Sequence, residues 1–230
     1  DLSEEACQIE KRVVIEEFRQ RYINQPYGDL NMILRSMVYK KHPYRWATIG
    51  MSPDHIERAP IEDIRDFYRR FYHPSNAILS VSGDFQPDEI FTLAEKWFGG
   101  IEDIAYPIDP IPQEPIQTEA RRVEVERDVP ATTIVIAFHM GNRLSHDFFL
   151  GDMTSDLLAG GDSARLYEHL IKNRRMFASV NAYISGDVDC GMFVFTGQLL
   201  PSTTESEAEA AFWDEMEKLK KGIISDYELE

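Results

Sequence analysis

The segment RRVEVERDVPATTIVIAFHM, residues 121–140, decides what kind of fold this chain builds. Val123 and Val125 alternate with charged residues, and Ile134 to Phe138 form a short apolar run. The segment therefore reads as two strands, 121–128 and 132–140. Downstream, FASVNAYIS (177–185) and CGMFVFTGQL (190–199) carry the same signal. Helical periodicity covers 146–159, 163–173 and 205–221. Strands joined by short turns pair antiparallel, and helices grouped after strand pairs give an α+β layer rather than a doubly wound α/β sheet.

Upstream the chain is richer in helix, with expected spans at 3–24, 29–40, 60–72 and 87–99. Pro60 sits at a favoured first-turn position, and Gly99-Gly100 closes the last of these spans. NAILSVSG, 76–83, reads as a strand, and the aromatic residues Phe67, Tyr68, Phe71 and Tyr72 read as core. Four prolines in AYPIDPIPQEPIQ remove backbone donors and forbid helix, so a linker is expected at 105–117. That gives a first domain at 1–104 and a second at 118–230. The first residue is Asp, helical periodicity starts at once, and SDYELE at the end looks like a helix start. Both ends thus read as cuts in a longer chain.

Composition narrows the function. The 230 residues carry 24 Lys and Arg against 40 Asp and Glu, a formal charge of -16. Nucleic acid and anionic membranes are repelled by that balance, whereas a peptide partner is compatible with it. No apolar run approaches the roughly 20 residues of a membrane span. Cys7 and Cys190 lack metal or disulfide spacing and read as small buried side chains.

The first helix poses a chemical question. On a wheel of about 100° per residue, Glu10 and Glu17 fall near 280° and 260°, between Ile9 and Val13 on one side and Cys7, Val14 and Phe18 on the other. Glu16 falls on the polar side. Burying a carboxylate without a partner costs several kcal/mol. A cation is therefore expected to face these two acids, either a basic side chain of a neighbouring helix or a metal ion.

E-x-x-V-V-x-x-E at 10–17, HPYRWATIG at 42–50, FYRRFYHPSNAILSVSGDF at 67–85 and LLAGGDSARLYEHL at 157–170 together resemble the insulinase/pitrilysin family of zinc metallopeptidases, which includes the mitochondrial processing peptidases. The resemblance implies two consecutive α+β domains of the LuxS/processing-peptidase-like metallohydrolase fold, each an antiparallel sheet with helices on one face, the first truncated at its N-terminus. By position it makes Glu17 the carboxylate zinc ligand and Glu10 its supporting acid. One zinc ion would activate water for peptide hydrolysis. It also associates the glycine-rich loop, with Gly160, Gly161, Ser163 and Arg165, with a substrate chamber. Strand 132–140 would line that chamber, where a peptide could add as a further strand. The implied partners are a peptide or unfolded polypeptide and the remaining half of the peptidase or a homologous subunit. Apart from the resemblance, the expected setting is a soluble protein of the bacterial cytoplasm or periplasm, although the cysteines do not fix the compartment.

The HxxEH motif that supplies the other two ligands and the general base in this family does not occur in the chain. The expectation is a fragment of a zinc endopeptidase, inactive alone and weak in zinc affinity. A non-catalytic structural or substrate-guiding subunit is the alternative, and an unrelated acidic interaction module is a third reading. RLYEH, Arg165 to His169, has the outline of the motif, but arginine cannot donate to zinc. His42, before Pro43, reads as structural. His139 and His146 straddle a turn and share no element. AGGDSARL, 159–166, could form a small anion nest, although a helix cap by Asp162 or Ser163 is the plainer reading.

Overall fold

The computed structural model describes residues 2–102, 109–225 and 228. In chain order the helices are α1 (Glu4–Phe18), α2 (Leu30–Val38), α3 (Pro53–Arg58), α4 (Ile61–Phe71), α5 (Pro87–Phe98), α6 (His146–Ala159) and α7 (Glu205–Lys220). The strands are β1 (Thr133–Met140), β2 (Phe177–Gly186) and β3 (Gly191–Leu199). Arg19–Ile23 and Tyr167–Asn173 are π-helical. The chain divides into two compact units, one formed by residues up to Asn24 with Thr48–Pro112, the other by Gln25–Ala47 with the chain from Gln113 on. The start of the expected linker, 105–108, lies outside the described residues, and 109–117 is without regular structure.

The first unit contains helices without a sheet among its described residues. Ser3 caps α1, its hydroxyl accepting the Ala6 N–H at 3.3 Å. Lys11 is buried on α1 because its ammonium donates to the carbonyls of Ala59 and, at 3.2 Å, Glu57, at the end of α3. Its aliphatic stem can then lie in the interface while the charge is solvated by backbone.

Two expectations fail in this unit. NAILSVSG forms no strand: Asn76 ends a short 3₁₀ turn, 77–82 have no regular structure and no ladder partner among the described residues, and Ile78 is 98 % exposed. The aromatic side chains of α4 are not core either. Phe67, Tyr68 and Tyr72 are exposed and pack mainly on one another, Phe67 with Phe71 at 4.7 Å and Tyr68 with Tyr72 at 5.0 Å between ring centroids. The cause is common to both. Periodicity tells which side of an element is apolar, but a strand needs a neighbour for its N–H and C=O groups and an apolar face needs a layer to cover it. The described residues of this unit supply neither. The expected strand 121–128, in the second unit, likewise has no strand partner among the described residues, and Val123 and Val125 are exposed.

The second unit is built on a three-stranded antiparallel sheet of order β1-β3-β2. Period-two alternation sends the side chains of β3 to two cores. On one face Phe195 and Leu199 meet Leu158 of α6, Leu166 and Leu170, and Ala208, Ala211 and Phe212 of α7. Phe195 stacks on Phe212 at 4.4 Å and meets Phe177 edge-on at 6.1 Å. Gly197 permits this packing, since a Cβ there would stand 2.5 Å from the Phe177 ring. On the other face Met192 and Val194 are covered by Leu34, Val38 and Tyr39, from α2 and its C-cap. Helices therefore pack on both faces of this sheet, where one face was expected. The reason is that residues 25–47 fold back on it. A capping box between Thr204 and Glu207 starts α7.

Residues 25–47 are tied to the second unit by polar links as well. The Tyr27 hydroxyl donates to the Ala131 carbonyl at 2.6 Å and accepts the Ala131 N–H at 3.0 Å. These bonds hold Tyr27 at φ 60°, the left-handed region that a non-glycine residue occupies only when its surroundings compel it. Asp29 pairs with Arg127 at 2.8 Å, and Arg121 donates to the carbonyls of Met37 and Val38.

Candidate functional site

Helix α1 places the two acids that the sequence singled out. Its buried side is formed by Cys7, Lys11 and Phe18, which fall between about 340° and 20° on the wheel. Glu10 and Glu17 lie roughly 100° away, on the side of Ile9 (46 % exposed) and Val13 (56 % exposed). The expectation that they sit in a buried arc is thus corrected. Glu10 is exposed, and Glu17 is half-exposed and paired with Arg21 at 2.8 Å. Two apolar residues beside the acids widened the apparent stripe, whereas the true interface turns on a buried lysine. Among the described residues no group of three His, Cys, Asp or Glu side chains is placed to hold a metal ion. These residues alone do not fit a zinc centre.

Gly160, Gly161 and Ser163 are exposed in the loop after α6, and Gly160 N–H closes that helix on the Asp156 carbonyl at 2.7 Å. Lys172 donates to the Asp162 carbonyl at 3.2 Å across this loop. Arg165 is buried. Its Nε donates to Glu228 Oε1 at 2.6 Å and its Nη2 to the Ile223 carbonyl, while Nη1 has no hydrogen-bond partner among the described residues. Glu228 in turn accepts from the Ser225 N–H at 2.8 Å and hydroxyl at 2.7 Å, the local pattern that SDYELE suggested. The Arg165 hydrogen bond, with the help of Ser225, holds the Glu228 carboxyl at about 2. His169 faces Glu215 at 2.7 Å, so the two ends of RLYEH contact different carboxylates, Arg165 that of Glu228 and His169 that of Glu215.

A polar cluster beside α2 was only partly foreseen. His42 is buried and caps the turn Pro43–Arg45, its Nδ1 accepting the Tyr44 N–H at 3.2 Å and its Nε2 standing 3.4 Å from Asp189 Oδ2. Its structural reading agrees with that geometry. His139 Nε2 is bonded to the Val38 carbonyl at 2.8 Å. Burial and the neighbouring Cys190 push the Tyr39 phenol upward, and burial raises the Cys190 thiol. Cys7 is buried as expected, but Cys190 only partly so. Glu114 lies in a nest of backbone donors, accepting the N–H groups of Lys40 and Lys41 at 2.7 Å and of His42 at 2.9 Å. Burial acts to raise the Glu114 carboxyl, but the three donors together outweigh it and leave it below its ordinary value.

Glu215 of α7 is the charged group that sequence reading missed. It is fully buried, with its carboxylate 2.8 Å from Lys218 Nζ, 2.7 Å from His169 Nδ1 and 3.5 Å from Arg174 Nη2. Ala208, Ala211, Phe212 and Glu215 follow i, i+3, i+4, i+7, so the signal was present as an acid on a helix stripe. Glu215→Ala should lower stability by about 2 kcal/mol, since hydrogen bonds to charged groups contribute roughly 1.5–3 kcal/mol and the half-exposed cations can regain water. Urea unfolding of Glu215→Ala, Lys218→Ala and the double variant gives the pair's share. Full additivity of the two changes would refute the link.

Residues 58–230 match the family model described as the Peptidase M16 inactive domain. The chain belongs to the M16 peptidase family. This M16 chain is 30 % identical to the zinc protease PqqE of Helicobacter pylori, over 100 % of its own length and 52 % of that protein. A crystal structure of a protease from Helicobacter pylori matches with a TM-score of 0.85 at 30 % identity, covering 100 % of the M16 chain and 56 % of that structure. The peptidase M16 inactive domain from Pseudomonas fluorescens matches with a TM-score of 0.75 at 18 % identity, covering 99 % and 54 %. The insulinase/pitrilysin resemblance and the α+β peptidase fold both hold. The M16 chain spans about half the length of the curated relatives it matches. Among its described residues no helix is long and apolar enough to cross a membrane.

Proposed function

We propose that the chain is part of a zinc-dependent metalloendopeptidase in which Glu17 supplies the carboxylate ligand and Glu10 supports it. The open side of α1 carries this reading. Two acids seven positions apart share one side of the helix with the exposed Ile9 and Val13, so a mixed acidic and apolar surface is turned away from the helix's own interface. Zinc, when bound, supplies a Lewis acid and a water of pKa near 7. The imidazole ligands and the general base come from outside these residues, so this chain is assigned ligation and support and no catalytic step. Residues 1–104 then end the catalytic domain, 105–117 link, and 118–230 form the following inactive-type domain. Its loop of Gly160, Gly161 and Ser163 faces a peptide or unfolded polypeptide, and Arg165, at the end of that loop, ties it to Ile223 and Glu228. The remaining half of the peptidase, or a homologous subunit, is the structural partner.

A non-catalytic subunit is the second reading, favoured by the match of 58–230 to an inactive domain and by the lack of three grouped donors among the described residues. Zinc content and peptide hydrolysis of the longer protein separate the two. The first reading expects one zinc per molecule, loss of zinc and hydrolysis in Glu17→Gln, and zinc affinity about 10- to 100-fold weaker in Glu10→Gln. A longer protein that neither takes up zinc when it is supplied nor hydrolyses peptide establishes the second.

A further inference from the structure

The strand register of the second unit leaves a polar floor beside α2. Thr133 lies opposite Gln198, and Gln198 opposite Ser179; two residues along, Val135 is followed across the sheet by Thr196 and Asn181. The next row on the same face, Ala137, Val194 and Tyr183, belongs to the apolar core under α2. One sheet face thus carries an apolar part, Val135 included, that packs under the helix, and beside it a set of hydroxyls and carboxamides, from Thr133, Ser179, Asn181, Thr196 and Gln198, that line an open space. That space is a cavity of about 290 Å³, walled by Tyr27 and Leu30. Tyr27 is held in place by its two hydrogen bonds to Ala131. The Thr133 hydroxyl in the floor is buried with no hydrogen-bond partner among the described residues.

The lining contains no Asp, Glu, Lys, Arg or His, in a chain of charge -16. The ion pair next to Leu30, Asp29 with Arg127, is closed on itself. A charged ligand would lose hydration here without gaining a counter-charge, and an acidic one would be repelled by the chain as a whole. Carboxamides and hydroxyls, by contrast, both donate and accept, which matches the N–H and C=O groups of a polypeptide.

We propose that this cavity is a docking subsite for an uncharged polar stretch of polypeptide, rich in Asn, Gln, Ser and Gly. The choice of polypeptide rests on the peptidase reading above; the preference for neutral ligands rests on the lining itself. The test uses the 230-residue chain and three probes followed by NMR or calorimetry: a capped Gly-Asn-Gln-Ser-Gly peptide, its Gly-Asp-Glu-Asp-Gly counterpart, and maltotriose. The neutral peptide should bind at least tenfold more tightly than the acidic one. Thr196→Val, which keeps side-chain shape, should weaken it about fivefold, the equivalent of one hydrogen bond. Asn181→Ala, at an exposed position of β2, should do the same without disturbing the core. Equal binding of both peptides, binding unaffected by either variant, preference for maltotriose, or no saturable binding would each overturn the subsite. A longer protein that neither takes up zinc when it is supplied nor hydrolyses peptide would overturn the peptidase reading while leaving these binding results standing.

Discussion

Replacing Phe195 by Ala is expected to lower the unfolding free energy of the second unit by about 3–5 kcal/mol. Phe195 is fully buried on the central strand, stacked on Phe212 and edge-on to Phe177. Truncation removes the transfer energy of the ring and the aromatic contacts, and leaves a void that helices on one side and a sheet on the other cannot easily close. Urea unfolding followed through the second unit's own signals gives the number. Phe91→Ala, at an exposed position of α5, is the control and should change little. A loss below about 1 kcal/mol for Phe195→Ala would mean that the core packs otherwise than described.

Acid should destabilise the second unit through Arg165 and Glu228. The Glu228 carboxyl lies at about 2 in the folded chain against an ordinary 4.5, chiefly through its hydrogen bond to Arg165. A depressed folded value means that the folded state releases the proton more readily than the unfolded one. The stabilisation is therefore complete above about pH 4.5 and is lost as the pH falls towards 2. Both side chains are largely buried, so the full shift sets an upper bound of about 3 kcal/mol. Glu114 and Glu215 are depressed as well and act with the same sign. The Glu228 share is isolated by comparing the pH dependence of urea unfolding in wild type and Glu228→Gln. The variant should be less stable near neutral pH and flatter between pH 4.5 and 2; parallel curves would remove the clasp as a source of acid sensitivity.

The second unit was legible in the sequence wherever an element finds its partner within the described residues. TTIVIAFHM, FASVNAYIS and CGMFVFTGQL become β1, β2 and β3 within a residue of their expected ends, and 146–159 matches α6. NAILSVSG and RRVEVERD have the same alternating pattern and find no strand partner among the described residues, because alternation describes one strand and pairing requires two. The candidate site shows the same division. An acid on a helical stripe was sought in α1, where the wheel placed Glu10 and Glu17 beside Ile9 and Val13, yet the helix buries Lys11 instead. Two backbone carbonyls from the end of α3, distant in sequence, make that possible, and no local spacing encodes them. The identical criterion applied to α7 would have found Glu215. The cavity beside α2 was not legible, since it depends on cross-strand register and on a helix about a hundred residues away from β1.

Sheet order has a consequence for biosynthesis. The central strand, β3, is the last of the three to be made, and both β1 and β2 hydrogen-bond to it. Emerging from the ribosome, β1 has no partner in this sheet until β3 begins at Gly191, and α2 must wait for Met192 and Val194 with its apolar side open, through the 48–112 excursion and beyond. Closing so long a loop is only modestly costlier than closing a short one, roughly 0.6 kcal/mol per doubling of length. The burden is one of time rather than free energy: a nascent chain stalled before residue 191 holds two strands and a helix with nowhere to go, and that interval is where a chaperone would do the most for its yield.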